Sequence, residues 1–213
     1  MERAMERAME QKHSKIIIAL AVAYISLTLF ANIGSLRIVA LLGLAVDGGT
    51  LLYPFTFTLR DILHKKAGAT IARFSIWLAA AINLLLFGFV WLVAALPAAE
   101  DVGVQAAYAE VLLPGLRLVL ASVAAMTVAE LLDTLIYARV RRRFGSRRQW
   151  LRVLLSNAVS VPVDTAIFLL IAFLGRYTWP VLVSIFLANL LIKYAVSLLS
   201  LGGVYLVRDV DRA

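Results

Sequence analysis

Apolar residues occur along this chain in long runs, separated by short segments rich in arginine and lysine. A helix that crosses a bilayer needs about 20 consecutive, mostly apolar residues. Six runs meet this criterion and predict six transmembrane helices: residues 16–36, 38–59, 71–96, 111–138, 150–174 and 179–207. The pattern predicts an all-α membrane protein with one transmembrane domain over residues 16–207, a polar N-terminal segment over 1–15 and a short tail over 208–213.

The basic residues alternate between the ends of these predicted helices. They cluster before the first helix, between the second and third, between the fourth and fifth, and after the sixth. The loop over residues 97–110 is acidic and holds no lysine or arginine. Since cytoplasmic loops carry the excess of positive charge, six spans place every basic cluster on one side, and both termini are expected in the cytoplasm.

Composition agrees with a membrane location. Hydrophobic residues make up 62% of the chain and charged residues 16%, whereas soluble domains average about 25% charged. Mean hydropathy is +0.91. The formal net charge of +8 would suggest nucleic acid in a soluble protein. Because the charge lies at membrane boundaries, anionic lipid and topology explain it better, and no nucleic-acid partner is expected.

The second apolar run is irregular. Gly48 and Gly49 weaken a helix through backbone entropy, and Pro54 removes a backbone donor. Two interpretations stay open: a broken helix that lines a buried cavity, or a re-entrant turn or loop between a short helix and the second helix. Either one brings the aromatic rings of Tyr53 and Phe57 close to the interior.

Ionisable and amide side chains interrupt the last three apolar runs. An ionisable group at membrane depth costs several kcal/mol and usually faces a partner or a cavity. Glu130 and Asp133 share one face of the fourth helix, and Asp164 lies on the fifth. Asn189 and Lys193 are four residues apart on the sixth. These residues predict a polar site inside the bundle, and therefore a transporter.

Helical rise predicts which of these groups meet. If residues 150 and 207 both sit at the cytoplasmic boundary, a rise of ~1.5 Å per residue places Asp164 and Lys193 both roughly 21 Å from it, which allows an ion pair between them. Asn32 on the first helix reaches a similar level. The acids outnumber the lysine, which leaves acceptor capacity for a cationic or donor-rich ligand. The alternative is structural: polar groups in membrane helices often only join neighbouring helices.

The sequence lacks the residues that several other classes of function require. The chain has no cysteine, and its two histidines lie near helix ends, so no metal site is expected. It has no P-loop, no buried Ser/His pair and no cofactor motif, so neither an enzyme nor a bound cofactor is expected. A channel is disfavoured, because the acids and the lysine sit together and form no ring of one sign.

Three segments resemble the queuosine precursor transporters of the vitamin uptake transporter family. They are residues 47–57 (DGGTLLYPFTF), residues 130–133 (ELLD) before an arginine-rich loop, and residues 150–173, which include Asp164 and Phe168. Asn32 and Lys193 match an asparagine and a lysine of the family's first and sixth helices. The resemblance covers nearly all of residues 16–207.

This resemblance implies a six-helix fold similar to the substrate-binding S components of energy-coupling-factor vitamin transporters. It also implies an importer in the bacterial inner membrane that takes up the 7-deazaguanines preQ0 and preQ1 for queuosine modification of tRNA. The alternative is a vitamin-binding S component that needs a separate ATPase module. Ala19 and Ala23 form a small-xxx-small face, which could serve such docking or equally a homodimer.

The polar residues suit a 7-deazaguanine. A carboxylate can accept from N1–H and the exocyclic amine together, an amide can donate to the ring carbonyl, and aromatic rings can stack on the base. Asp164 could meet the ammonium of preQ1, and proton coupling would use Glu130 or Asp133. The candidate substrate-binding residues are Asn32, Tyr53, Phe57, Glu130, Asp133, Asn157, Asp164, Phe168, Asn189 and Lys193.

Overall fold

The computed structural model describes the backbone of residues 2–144 and 149–204. The side chains of residues 2–9, 199–204 and most of 130–157 lie outside this description, as do those of residues 53, 61, 65, 69 and 197. Its elements in order are α1 (Glu2–Gly34), β1 (Ile38–Leu41), β2 (Leu44–Asp47), a 3-10 helix (Gly48–Leu52), α2 (Tyr53–Ala95), α3 (Ala106–Leu112), α4 (Pro114–Phe144), α5 (Gln149–Phe173) and α6 (Trp179–Val204).

Four stretches of the described helices are long and apolar enough to cross a membrane: Glu10–Gly34, Thr70–Ala95, Ala106–Ala129 and Trp179–Val196. A shorter apolar stretch, Ala158–Phe173, belongs to α5. The mostly helical membrane fold predicted from the apolar runs is confirmed. The helices predicted over 150–174 and 179–207 match α5 and α6 closely, although residues 205–207 lie outside the described part.

The helix predicted over residues 38–59 is wrong in its first half. Residues 38–47 form an antiparallel β-hairpin, in which Ile38 pairs with Asp47 and Leu41 with Leu44. Leu42 and Gly43 both have positive φ, 51° and 80°, as a two-residue hairpin turn of type I′ requires. The two strands pair each other's backbone groups, so this apolar segment needs no helix. Of the two interpretations left open, the loop is the closer one.

Pro54 starts a helix and does not break one. It lies in the first turn of α2, where its missing N–H would have had no helical partner anyway. The real break in α2 comes at Gly68, whose φ of 81° and ψ of 169° interrupt the helix. The second segment, Thr70–Ala95, corresponds to the helix predicted over 71–96.

The glycine pair after β2 allows close packing against α1. A Cβ atom on Gly49 would overlap the Ser35 hydroxyl and the Ala31 carbonyl of α1. Only a residue without a side chain lets the 3-10 helix approach that closely. The pair therefore positions Asp47 and Thr50 against the end of α1.

A hydrophobic core joins α4, α5 and α6. Its fully buried members include Ala121 and Ala125 of α4, Ala172 of α5 and Ile185 of α6. The hairpin covers one end of this core, and the backbone N–H of Ala45 donates to Ser184 Oγ of α6 at 2.8 Å. Packing of this kind fixes the relative positions of the helices that carry the polar residues.

Candidate functional site

Lys193 and Asp164 form the ion pair expected from helical rise. Lys193 Nζ lies 2.5 Å from Asp164 Oδ2 and 3.1 Å from the hydroxyl oxygen of Thr165. The lysine side chain is 11% exposed and the aspartate side chain 27%. Thr165 is fully buried and donates to the Val161 carbonyl of its own helix, which leaves its oxygen lone pairs facing the ammonium. The pair joins α5 to α6.

A proline two residues before Asp164 makes room for a second hydrogen bond between these helices. Pro162 lies inside α5 and cannot donate to the carbonyl of Ala158, four residues before it. Tyr194 Oη of α6 donates to that carbonyl at 3.3 Å. A backbone acceptor that the proline leaves without its helical donor is thereby satisfied from the next helix, as the membrane interior requires.

Asp47 is the centre of a second polar group, at the end of the hairpin. Its side chain is fully buried. Oδ1 accepts from Ser35 Oγ at 2.7 Å and from the backbone N–H of Thr50 at 3.1 Å. Oδ2 lies 2.5 Å from Thr50 Oγ1 and accepts from Asn189 Nδ2 at 3.0 Å. These contacts connect Ser35, which follows α1, with the hairpin, the 3-10 helix and α6.

The two polar groups are continuous along α6. Asn189 and Lys193 are one helical turn apart and so lie on the same face. Asn189 is 1% exposed, and its amide also donates to the Ile185 carbonyl at 3.0 Å. We call the whole set the polar strip. Its members are Ser35, Asp47, Thr50, Asp164, Thr165, Asn189 and Lys193.

Asn32 belongs to a separate amide pair. Its Nδ2 donates to Asn83 Oδ1 at 2.6 Å, and Asn83 Nδ2 donates to the Ala79 carbonyl at 2.8 Å. Asn83 is buried, whereas Asn32 is half-buried. Asn32 lies in the last turn of α1, three residues before Ser35, so the pair is next to the polar strip and joins α1 to α2.

A double-mutant cycle measures this pair. We expect a coupling free energy of about 1 kcal/mol between Asn32→Ala and Asn83→Ala, since interhelical hydrogen bonds in membranes contribute about this much. Thermal unfolding of the purified wild type, the two single variants and the double variant gives the four stabilities that the cycle needs. Thr28 donates only within α1, to Ile25, so a Thr28→Ala/Asn83→Ala cycle is the control. Equal coupling in both cycles would contradict the assignment.

The aromatic candidates differ in their surroundings. Phe168 is buried and packs edge to face on Phe173, with ring centroids 5.8 Å apart and an interplanar angle of 86°. Phe57 is half-buried, and the Arg60 guanidinium lies 5.4 Å from its ring centroid. Phe168 lies one turn beyond Asp164 on α5, on the same face of that helix.

Four candidates lie in described helices, but their side chains are outside the described part of the structure. Tyr53 begins α2, Glu130 and Asp133 are in α4, and Asn157 is in α5. The structure therefore describes the surroundings of the other six: Asn32, Phe57, Asp164, Phe168, Asn189 and Lys193. It brings Asp164, Asn189 and Lys193 together in the polar strip.

Three members of the polar strip, Asp47, Ser35 and Thr50, are not among the residues predicted from the sequence. The position of Asp47 between apolar residues and two glycines is a signal of burial in the sequence. Ser35 and Thr50 carry no signal of their own, because single hydroxyls occur throughout membrane helices. Their role depends on the hairpin, which the apolar pattern did not predict.

Comparison with known proteins agrees with the resemblance found in the sequence. The model of a family described as "Putative vitamin uptake transporter" matches residues 47–207. A protein of Bacillus subtilis (strain 168), named "Probable queuosine precursor transporter", is 39% identical over 183 residues, which is 84% of this chain and 78% of that protein. No solved structure gives a significant match. On this evidence, the chain belongs to the vitamin uptake transporter family.

Proposed function

We propose that this protein imports queuosine precursors, the 7-deazaguanines preQ0 and preQ1, across the bacterial inner membrane for queuosine salvage into tRNA. The observation that carries the proposal is the 39% identity to a protein named as a probable queuosine precursor transporter. The polar strip supports it, because ionisable and polar groups inside a helical membrane protein are typical of a substrate path.

The proposed topology has six crossings and both termini in the cytoplasm. The four long apolar stretches supply four crossings. We assign the other two to the segment that leads from the hairpin through the 3-10 helix into the first part of α2, before Gly68, and to α5. Support comes from the charges, since the basic residues near Gly68 and between α4 and α5 then fall on the cytoplasmic side. The hairpin then lies at the opposite membrane surface. A six-helix fold similar to that of the S components is also part of this proposal.

We propose that the substrate binds beside the Asp164–Lys193 pair. Asp164 Oδ2 accepts from the lysine, and no described residue donates to Oδ1. In this proposal, Oδ1 accepts from the ammonium of preQ1. Glu130 or Asp133 would accept the N1–H and exocyclic amine of the base, because a carboxylate takes such paired donors in two parallel hydrogen bonds. Neutral preQ0 would use the base contacts alone.

The remaining candidates have supporting roles in this proposal. Asn32 and Asn157 would donate to the ring carbonyl, while Tyr53, Phe57 or Phe168 would stack on the base. Asn189 is fully occupied by Asp47, Thr50 and Ile185 in this conformation, so it would reach the substrate only after the hairpin and α6 separate.

Calorimetry with the detergent-purified protein tests the substrate. We expect preQ1 and preQ0 to bind and guanine to bind at least tenfold more weakly. Glu130→Gln or Asp133→Asn should reduce binding of both 7-deazaguanines at least tenfold, since each removes a charge-assisted acceptor. Glu100→Gln is the matched control, because Glu100 is exposed in the loop after α2. A folded protein that binds neither compound would reject the proposal.

A second experiment distinguishes the importer from the S component. The purified protein is reconstituted alone in liposomes, and uptake of radiolabelled preQ1 is measured. Uptake without ATP or a partner is expected for an importer, whether monomer or homodimer. Binding without uptake would favour the vitamin-binding S component that needs a separate ATPase module.

A further inference from the structure

Ser160 is a buried hydroxyl of α5 that lacks the usual hydrogen bond within its own helix. Hydroxyls in helices commonly donate to the carbonyl four residues earlier. Thr58, Thr127 and Thr165 do so, at 2.7, 2.8 and 2.8 Å. Ser160 is only 6% exposed, yet no described residue hydrogen-bonds to its hydroxyl. A buried polar group without a partner is costly, so this hydroxyl needs an explanation.

Ser160 lies on the side of α5 that carries the ion pair. It is four residues before Asp164 and eight before Phe168, so the three residues follow one face of the helix. Phe168 is buried, whereas the exposed surface of α5 is formed by residues such as Val159 and Leu170. The Ser160 hydroxyl is therefore inside the bundle, one turn from the proposed substrate site.

A second acceptor without a described donor is on the same face. Asp164 Oδ2 accepts from Lys193 Nζ, and no described residue donates to Oδ1. The Cβ atoms of residues four apart on a helix are about 5–6 Å from each other. Since a charge-assisted N–H···O bond is about 2.8 Å long, one cationic nitrogen between Ser160 and Asp164 can bond to both.

We propose that Ser160 accepts a hydrogen bond from the ammonium of preQ1 and is a specificity-determining residue for this charged substrate. An ammonium has three donors; Asp164 Oδ1 accepts one of them and the Ser160 hydroxyl a second. A neutral acceptor suits this position, because Lys193 already matches the single negative charge of Asp164. This inference rests on the proposed function and adds a residue that distinguishes preQ1 from the neutral preQ0.

Calorimetry of the full-length, detergent-purified protein with both compounds tests the inference. Ser160→Ala should weaken preQ1 binding about tenfold, as the loss of a hydrogen bond to a charged group does. Binding of preQ0, which has no ammonium, should change less than about twofold. Ser75→Ala is the matched control, because Ser75 is also a buried serine, but in α2. It should bind both compounds as the wild type does.

Ser160→Cys provides the second variant, in case Ser160→Ala does not fold. It keeps the size of the side chain but replaces the oxygen with a weak acceptor, so it should show the same selective loss. Circular dichroism reports whether each variant is folded.

The outcomes separate this inference from the proposed function. If the wild type binds both compounds, but the folded variants bind preQ1 as tightly as the wild type, the inference alone is overturned. Equal weakening of preQ1 and preQ0 would also overturn it, because that result indicates a purely structural role for Ser160. A folded wild type that binds neither compound would overturn the proposed function and this inference together.

Discussion

Replacing Asp47 with alanine should produce the largest loss of stability of any single substitution in the polar strip. The change removes the acceptor for Ser35 Oγ, the Thr50 N–H and Asn189 Nδ2. Each buried donor left without a partner costs about 1–3 kcal/mol. We therefore expect a total loss on the order of 3–6 kcal/mol, or roughly 10–20 °C in melting temperature for a chain of this size.

Intrinsic tryptophan fluorescence measures this loss, since the chain has four tryptophans. Glu100→Ala is the matched control: it also converts an acid to alanine, but at an exposed loop position, and should change stability by less than about 0.5 kcal/mol. The loss of stability in Ser35→Ala should lie between those of Asp47→Ala and Glu100→Ala, because this change removes one donor and leaves Asp47 with the others. An Asp47→Ala melting temperature equal to that of Glu100→Ala would contradict the central role of Asp47.

The parts of this fold that follow a helical period could be predicted from the sequence. Apolar runs predicted α5 and α6 almost to the residue, because each run is ended by polar residues at the membrane boundary. Helical rise then predicted the contact between Asp164 and Lys193, which is confirmed at 2.5 Å. Both predictions depend only on local composition and on a fixed 1.5 Å rise.

The hairpin could not be predicted in the same way. Residues 38–47 are as apolar as a membrane helix, so hydropathy alone assigns them to one. What distinguishes them is pairing between the two strands and the fit of Gly49 against α1, and both are tertiary contacts. The hydrogen-bonding roles of Ser35, Thr50 and Asn189 depend on those contacts. These hydrogen-bonding roles could be recognised only once the position of the hairpin was known.

Neutralising Lys193 should have the largest effect on transport. Lys193→Met leaves the Asp164 carboxylate without its ion-pair partner in a largely buried site, and breaking such a pair costs on the order of 3–5 kcal/mol. Under the proposed function it also disturbs the substrate site. We expect uptake of preQ1 into liposomes to fall about 100-fold, equivalent to about 2.7 kcal/mol. Asp164→Asn should lower preQ1 uptake similarly and preQ0 uptake less, because only preQ1 carries the ammonium.

The double variant Lys193→Met/Asp164→Asn separates a structural role from a functional one. It removes both charges, so most of the lost stability should return, as seen when buried pairs are replaced by neutral groups. If the pair only holds α5 against α6, transport should return together with stability. Tyr194→Phe removes the other α5–α6 bond without altering charge, and it should retain transport. We expect the double variant to be stable but still to fail to transport preQ1. The packing of α5 against α6 does not need the Asp164 charge, whereas binding of the preQ1 ammonium does.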